Sequence, residues 1–349
     1  MLAFPSGNHW GETDMANHRG LRQPTAFWRS VAQGSALAKP ALALRRLGAP
    51  DGLVRLALRP AVASRAVDRS LREHRMAHDA QLLGRLGSLE ARLAREAREL
   101  REAQRLRYRV FYEEMSARAD ILSAVFRRDS DRFDRICDHI LVVDRTCASP
   151  SVFNAGPKVV GTYRLLRQNM AERNFGFYTQ NEFDIAPLIA AHPGKRFLEL
   201  GRSCVLRDYR DKPTLELLWR AIHAYVLRHR IDVLMGCASL EGTDPSTVAR
   251  QLSFLHHYAP RPEGWRVRAL PERYVPMDVL PKSRIDAKAA LRDLPPLIKG
   301  YLRLGAYIGE GAVVDHQFGT TDVLVLLPMS AVAERYRQHL APLVASRAA

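Results

Sequence analysis

The segment "FLELGRSCVLRDYRDKPTLELLW", residues 197–219, sets a carboxylate, a glycine and a guanidinium inside an apolar run. Its first half has the composition of a buried strand, which Glu199, Gly201 and Arg202 interrupt. In a regular strand Glu199 and Arg202, three apart, face opposite sides of the sheet. A glycine within a strand often marks a bulge, where one extra residue resets that alternation. A bulge at Gly201 would turn both side chains toward one cleft and free a backbone N–H to point into it. The set suits proton transfer beside a developing oxyanion. The alternative is an ion pair that ties two strands together.

The second half reads as a short basic loop leading into a helix. Pro213 stands near the helix start, and Asp211 or Thr214 can cap the first turn. A strand, a loop and a helix N-terminus present unpaired N–H groups and a positive dipole end to an anion, and Arg207, Arg210 and Lys212 add charge. The glycines of a Walker A loop or a GxGxxG turn are absent, so a single phosphate or pyrophosphate fits better, such as that of a pantetheine arm. A capped helix with no ligand explains the same residues.

Such groups need a scaffold, and the rest of the chain supplies one. Its 349 residues, 47% hydrophobic, are enough for a sizeable core. A net charge of +16 favours polyanionic partners: nucleic acid, an anionic membrane face or an acidic protein. Cys137, Cys147, Cys204 and Cys237 are too widely and irregularly spaced for a disulfide framework. Neither a secretory leader nor an apolar membrane span is recognisable, so a cytoplasmic location is expected. His256-His257 and Cys137-x-His139 lack further ligands at matching spacing, so no metal is expected.

Residues 1–80 form a basic extension, cut into short pieces by prolines 24, 40, 50 and 60. After Pro60, Ala63, Val67 and Leu71 oppose Arg65, Arg69 and Arg72, as in a basic amphipathic helix suited to an anionic membrane surface. A solvated, poorly ordered extension is the other reading. From about residue 86 the pattern is regular. It predicts a strand or helix at 89–95, a helix through "ELREAQRLRYRVFYEEM" and strands at 140–144 and 158–166. The segment 197–205 follows, then a helix over "TLELLWRAIHAYVLRHR", a strand in "DVLMGCASL" and a helix over 245–257. "LPPLIKGYLRLGA" should be helical, with two strands around "EGAVVDHQFGTTDVLVLL". Alternating strands and helices indicate a layered α/β domain with part of its sheet parallel.

The series "LRYRVFYEEM", "CDHILVVD", "VVGTYRLL", "NEFD", "LELGRSCV", "RDKPTLELLW" and "PPLIKGYLRLGA…FGTTDVLVLL" resembles the acyl-carrier-protein-dependent L-ornithine N-acyltransferases of bacterial ornithine lipid synthesis. These are members of the Gcn5-related N-acyltransferase superfamily and are similar to acyl-homoserine-lactone synthases. The resemblance implies a mixed central sheet flanked by helices, with an acyltransferase domain over 86–345. Arg107 and Phe111 match the Arg-x3-Phe that lines the lactone synthases' substrate entrance, Arg164 matches their strand arginine, and Glu199 and Arg202 match their Glu-x2-Arg pair. Asp134 or Asp138 stands for one of their loop carboxylates. The coenzyme A loop of the wider superfamily is missing, which points away from free acetyl-CoA.

The implied reaction joins L-ornithine to an acyl group delivered by acyl carrier protein, with no cofactor beyond the donor's phosphopantetheine. Glu199 would take the proton of the α-amine, and the N–H groups of Cys204 and Val205 would polarise the thioester carbonyl. Arg207, Arg210, Lys212 and Thr214 would hold the phosphopantetheine and dock its acidic carrier. The loop bearing Asp129, Asp131, Asp134 and Asp138 could bind ornithine's ammonium groups or be solvated. Asp315, His316 and Asp322 could help select substrate or simply form a hairpin turn. Acylation of another amine, as in lactone-type signal synthesis, is the nearest rival. A nucleic-acid-binding module lacks exposed interleaved aromatics and a helix-turn-helix pattern, so no nucleic acid is expected.

Overall fold

The computed structural model describes residues 81–115, 117–148 and 157–332. The basic extension expected over 1–80 and the last residues of the expected 86–345 span lie outside them. The described chain begins with a hairpin, β1 (Leu82–Leu86) and β2 (Leu89–Leu93), of which only the second strand is foreshadowed by the sequence pattern. Helix α1 (Ala97–Tyr108) follows and runs into a π-helical turn, Arg109–Glu114. After the short helix α2 (Ile121–Phe126) come the long strands β3 (Asp138–Ala148) and β4 (Pro157–Arg167). Helices α3 (Gln168–Glu172) and α4 (Ala186–Ala191) lead to β5 (Phe197–Val205). The order then continues with α5 (Lys212–His229), β6 (Val233–Glu241), α6 (Ala249–Tyr258), α7 (Ala287–Asp293), α8 (Pro296–Leu304), β7 (Tyr307–Asp315) and β8 (Thr320–Pro328).

The strands form one eight-stranded sheet in the order β1-β2-β3-β4-β5-β6-β8-β7. Every pairing is antiparallel except β5–β6, which are parallel and joined through α5. A parallel pair requires such a crossover, whereas antiparallel neighbours need only a turn. Side-chain alternation divides the interior between the two faces of the sheet. Leu198, Leu200, Leu234, Val323 and Val325 join the core beneath α1, α5, α6 and α8. Phe197, Val233, Met235, Leu324 and Leu326 pack on the other face with Phe133, Phe177, Phe183 and Leu188. Strand β8 is buried along its whole length, in keeping with the apolar run that follows Asp322.

The parallel pairing is short: it runs from Phe197 opposite Val233 to Glu199 opposite Met235 and then stops. Beyond that point β5 stays with β4 as far as Val205, and β6 stays with β8 as far as Glu241. A notch opens in the middle of the sheet. Its apex is tight, because a Cβ on Gly236 would collide with the backbone carbonyl of Leu200. On the β5 side two residues, Arg202 and Ser203, oppose the single residue Tyr163. This is a bulge, one step later than expected: the left-handed backbone belongs to Arg202 (φ 51°), not to Gly201.

Replacing Gly236 by alanine should destabilise the domain by about 1–3 kcal/mol in urea unfolding, since the methyl must push two strands apart. An unchanged midpoint would mean that the apex yields without cost.

Candidate active site

The notch widens into a cavity of about 140 Å³. Glu199, Gly201, Arg202 and Ser203 line it from β5, and Cys237, Ala238 and Ser239 line it from β6. Arg164 from β4, Phe111 from the π turn, Tyr178 and Thr179 add to its wall, as do Asp315, Thr320 and Asp322 at the β7–β8 end. Pro295, Leu297 and Ile298, at the start of α8, supply an apolar side.

Glu199 is 5% exposed and holds the turn Tyr178–Asn181 by its first amides. Tyr178 N donates to Oε2 at 2.9 Å, and Thr179 donates to Oε1 through its N at 2.6 Å and through its hydroxyl. Burial raises the Glu199 pKa, and these hydrogen bonds only partly counter it. Oε1 thus accepts twice and Oε2 once, which leaves acceptor capacity on Oε2.

Behind the cavity three arginines meet three aspartates. Arg107, with no exposed surface, lies 2.8 Å from Asp129 Oδ2 and 2.7 Å from Asp134 Oδ2. Arg164 donates to both Asp131 oxygens at 2.7 Å and reaches Asp134 Oδ1 at 3.2 Å. Arg202 stands 3.3 Å from Asp129 and 3.4 Å from Asp131. Its guanidinium also lies over the rings of Tyr178 and Phe318, at 5.1 and 4.4 Å from their centroids. Burial would raise the Asp134 pKa, but the charges and hydrogen bonds of Arg107 and Arg164 outweigh it and hold the carboxyl well below its usual range. Asp131 is lowered by the same balance, with Arg164 and Arg202 as the cations.

A second group of carboxylates, Glu182, Asp315 and Asp322, has oxygens within 4.8 Å of one another. Burial first, then repulsion among these acids, pushes Glu182 and Asp322 upward. Burial pushes the Tyr178 hydroxyl up to about 12, which keeps it protonated near neutrality.

The sequence that builds this site has counterparts among known proteins. The family described as "Acetyltransferase (GNAT) domain" matches residues 106–220. The L-ornithine N(alpha)-acyltransferase of Brucella abortus (strain 2308) is 53% identical over 258 residues, covering 74% of this chain and 90% of that protein. Its namesake in Agrobacterium fabrum (strain C58 / ATCC 33970) is 54% identical over 255 residues, covering 73% and 86%. The chain belongs to the L-ornithine N(alpha)-acyltransferase family. It is therefore an N-acyltransferase with a GNAT fold. The solved structure of an N-acyl amino acid synthase from uncultured soil microbes aligns with a TM-score of 0.39 at 14% identity, over 69% of this chain and 91% of that one.

Within this acyltransferase, the residues anticipated from sequence separate into three groups. Glu199, Arg202, Arg164 and Phe111 do meet at one cavity. Arg107 and Asp134 lie behind it, bound to one another. Asp138 is elsewhere, paired with Arg167 at 3.2 Å and accepting from the Tyr225 hydroxyl. The acidic loop is thus neither solvated nor an open ammonium site: Asp129, Asp131 and Asp134 are matched by arginines of this chain.

The residues of β5 that line the cavity differ from those anticipated as amide donors. Gly201, Arg202 and Ser203 line it, whereas Cys204 and Val205, 1% exposed, are back in register with Thr162 and Gly161. At the start of α5, Asp211 is the cap and accepts from Thr214 N at 2.9 Å, and the Thr214 side chain is fully buried. Arg210 pairs with Glu114 and donates to the Val205 carbonyl, while Arg207 and Lys212 are exposed. Sequence reasoning missed Tyr178, Thr179 and Glu182. "FYTQNEFD" gives no sign that its amides face a carboxylate twenty residues further on.

Asp134→Asn should cost about 3–5 kcal/mol in urea unfolding at neutral pH, because it strips a partner from two buried guanidinium groups. Asp134 titrates lower folded than unfolded, so its contribution is complete above the unfolded value of about 3.9 and lost as pH falls toward the folded one. The gap between wild type and variant should accordingly close in acid, below about pH 4. A gap that persists there would separate Asp134 from the ion-pair energy.

Proposed function

We propose that this protein transfers an acyl group from the thioester of acyl carrier protein to the α-amine of L-ornithine, forming the monoacylated precursor of an ornithine lipid. The relatives' names supply the acceptor. The observation that carries the chemistry is the buried carboxylate of Glu199 at the apex of the parted strands, with its proton affinity raised and one oxygen able to accept further. Glu199 takes a proton from the ornithine α-ammonium, directly or through a water. The freed amine attacks the thioester carbonyl, the C–S bond breaks, and the pantetheine sulfur leaves with a proton. The bulge residues Gly201–Ser203 line the cavity, and we assign their amides to the developing oxyanion. Leu200, Leu297 and Ile298 give the first carbons of the acyl chain an apolar wall. The exposed Arg207 and Lys212, beyond the end of β5, are the contacts we assign to the acidic carrier.

Purified protein incubated with a 3-hydroxyacyl carrier protein and single amino acids should yield acylated ornithine. Glu199→Gln should lower kcat by about 10²–10⁴-fold and abolish the acidic limb of the rate profile. Equal rates for wild type and variant across pH would remove Glu199 as the base. Product formed only with S-adenosylmethionine would favour lactone-type synthesis instead.

The location of such a reaction follows from its product, an amphiphile. Among the described residues no helix is long and apolar enough to cross a membrane. Helix α2, however, presents Ile121, Leu122, Val125 and Phe126 at 82, 68, 69 and 57% exposure, with Arg118, Arg127 and Arg128 beside them. Apolar side chains rimmed by arginines suit the surface of an anionic bilayer, and we assign α2 to that contact. Ile121→Ser with Val125→Ser should reduce sedimentation with phosphatidylglycerol vesicles at least about tenfold. Turnover of soluble substrates should be unchanged. Undiminished vesicle binding, or weakened carrier-protein binding in its place, would refute the assignment.

A further inference from the structure

Two acidic clusters lie close to the cavity, one behind it and one reaching its lining through Asp315 and Asp322, and they differ in how their charge is met. Asp129, Asp131 and Asp134 each lie against arginines of the same chain. Glu182, Asp315 and Asp322 have no such complement. The one cation paired with them among the described residues is Arg273, 3.7 Å from Glu182. That guanidinium donates to the carbonyls of Asn181 and Val314.

Glu182 and Asp322 are 2% and 6% exposed, yet Glu182 Oε2 and Asp322 Oδ1 accept no hydrogen bond of ordinary geometry. The Thr320 and Ser239 hydroxyls beside Asp322 and the Cys237 thiol beside Glu182 offset the cost of burial only in part. Buried carboxylates this short of donors are costly, and a native fold seldom retains them without a use. Asp322 ends the polar start of β8, opposite Val313 on one side and Ser239 on the other; it lines the cavity together with Asp315 and Thr320, and Glu182 adjoins them just behind that lining. Asp315 is also structural, since one of its oxygens accepts from the amides of Gln317 and Phe318 and closes the β7–β8 turn.

We infer that Glu182 and Asp322, steadied by Asp315, form the subsite for the side-chain ammonium of a diamino acid. The inference rests on the acyl-transfer reading of the same cavity and adds its selectivity. The cavity has an arginine wall, Arg164 and Arg202, and a carboxylate end, Asp315 and Asp322, with Glu199 also on its lining. An ammonium carries three donors and one positive charge, which matches unpaired acceptors held close together. The turn beginning at Tyr178 is anchored by Glu199, and Glu182 caps its far end. One short turn therefore fixes the spacing between the reacting end of the substrate and the end that is recognised.

The test compares L-ornithine with L-norvaline, which has the same carbon chain and no terminal amine. The wild-type protein should favour ornithine by at least about 10²-fold in kcat/KM. Asp322→Asn, nearly isosteric, should lower kcat/KM for ornithine by about 10²-fold and leave that for norvaline within about threefold. Glu182→Gln should behave alike and serves if the first variant melts early. Both variants keeping the full ornithine preference would overturn the inference while acyl transfer to ornithine stands. Wild-type protein that acylates neither amino acid would instead bring down the underlying reading, and the inference with it. One equivalent of metal in the purified protein, lost in Asp322→Asn, would overturn the ammonium assignment in favour of a cation site.

Discussion

Three guanidinium groups beside one cavity are tolerable only because three carboxylates lie against them. Arg107, Arg164 and Arg202 come from α1, β4 and the β5 bulge, and Asp129, Asp131 and Asp134 come from a single loop. Each ion has lost water, so the set holds only if all members are present and in place. That requirement fixes the loop against the sheet and sets the height of α1. It also keeps Arg202 in a left-handed backbone conformation that costs a non-glycine residue about 1–2 kcal/mol. The bulge, and with it the inward turn of β5, depends on this charge balance more than on the glycine beside it.

The site divides its work between elements of different rigidity. Strands β5 and β6 give the reacting region a backbone frame, while the turn at Tyr178–Asn181 is held from within by the Glu199 carboxylate. Glu199 is therefore a structural acceptor as well as the group proposed as the base. The hydrogen bonds that lock its orientation also limit how far burial can raise its proton affinity.

Much of the fold could be read in the sequence, because strand and helix periodicities are local. The runs at 140–144, 158–166 and 197–205 became β3, β4 and β5, and "TLELLWRAIHAYVLRHR" became α5. Even the interruption of β5 was visible, although its special residue is Arg202, whose backbone is fixed by partners more than seventy residues away in sequence. The acidic loop was visible as charge and not as structure. Nothing local says that Asp129, Asp131 and Asp134 are each claimed by a distant arginine. Glu182 was missed for the same reason, since its significance arises only when β8 brings Asp322 alongside. Charge pattern identifies candidates, and only tertiary packing shows which carboxylates are already neutralised.

The parted strands leave peptide groups without neighbours inside the sheet, an internal edge in place of an outer one. Outer edges recruit passing strands and promote aggregation. This one is narrow at Gly236 and flanked by the first turn of α8 through Pro295, Leu297 and Ile298. At that apex β5 and β6 approach so closely that not even one more carbon fits between Gly236 and the Leu200 carbonyl, so an incoming strand could not extend its pairing past this point. The same close approach that ends the parallel pairing thus acts as a stopper, blunting the internal edge that the parting of the strands creates.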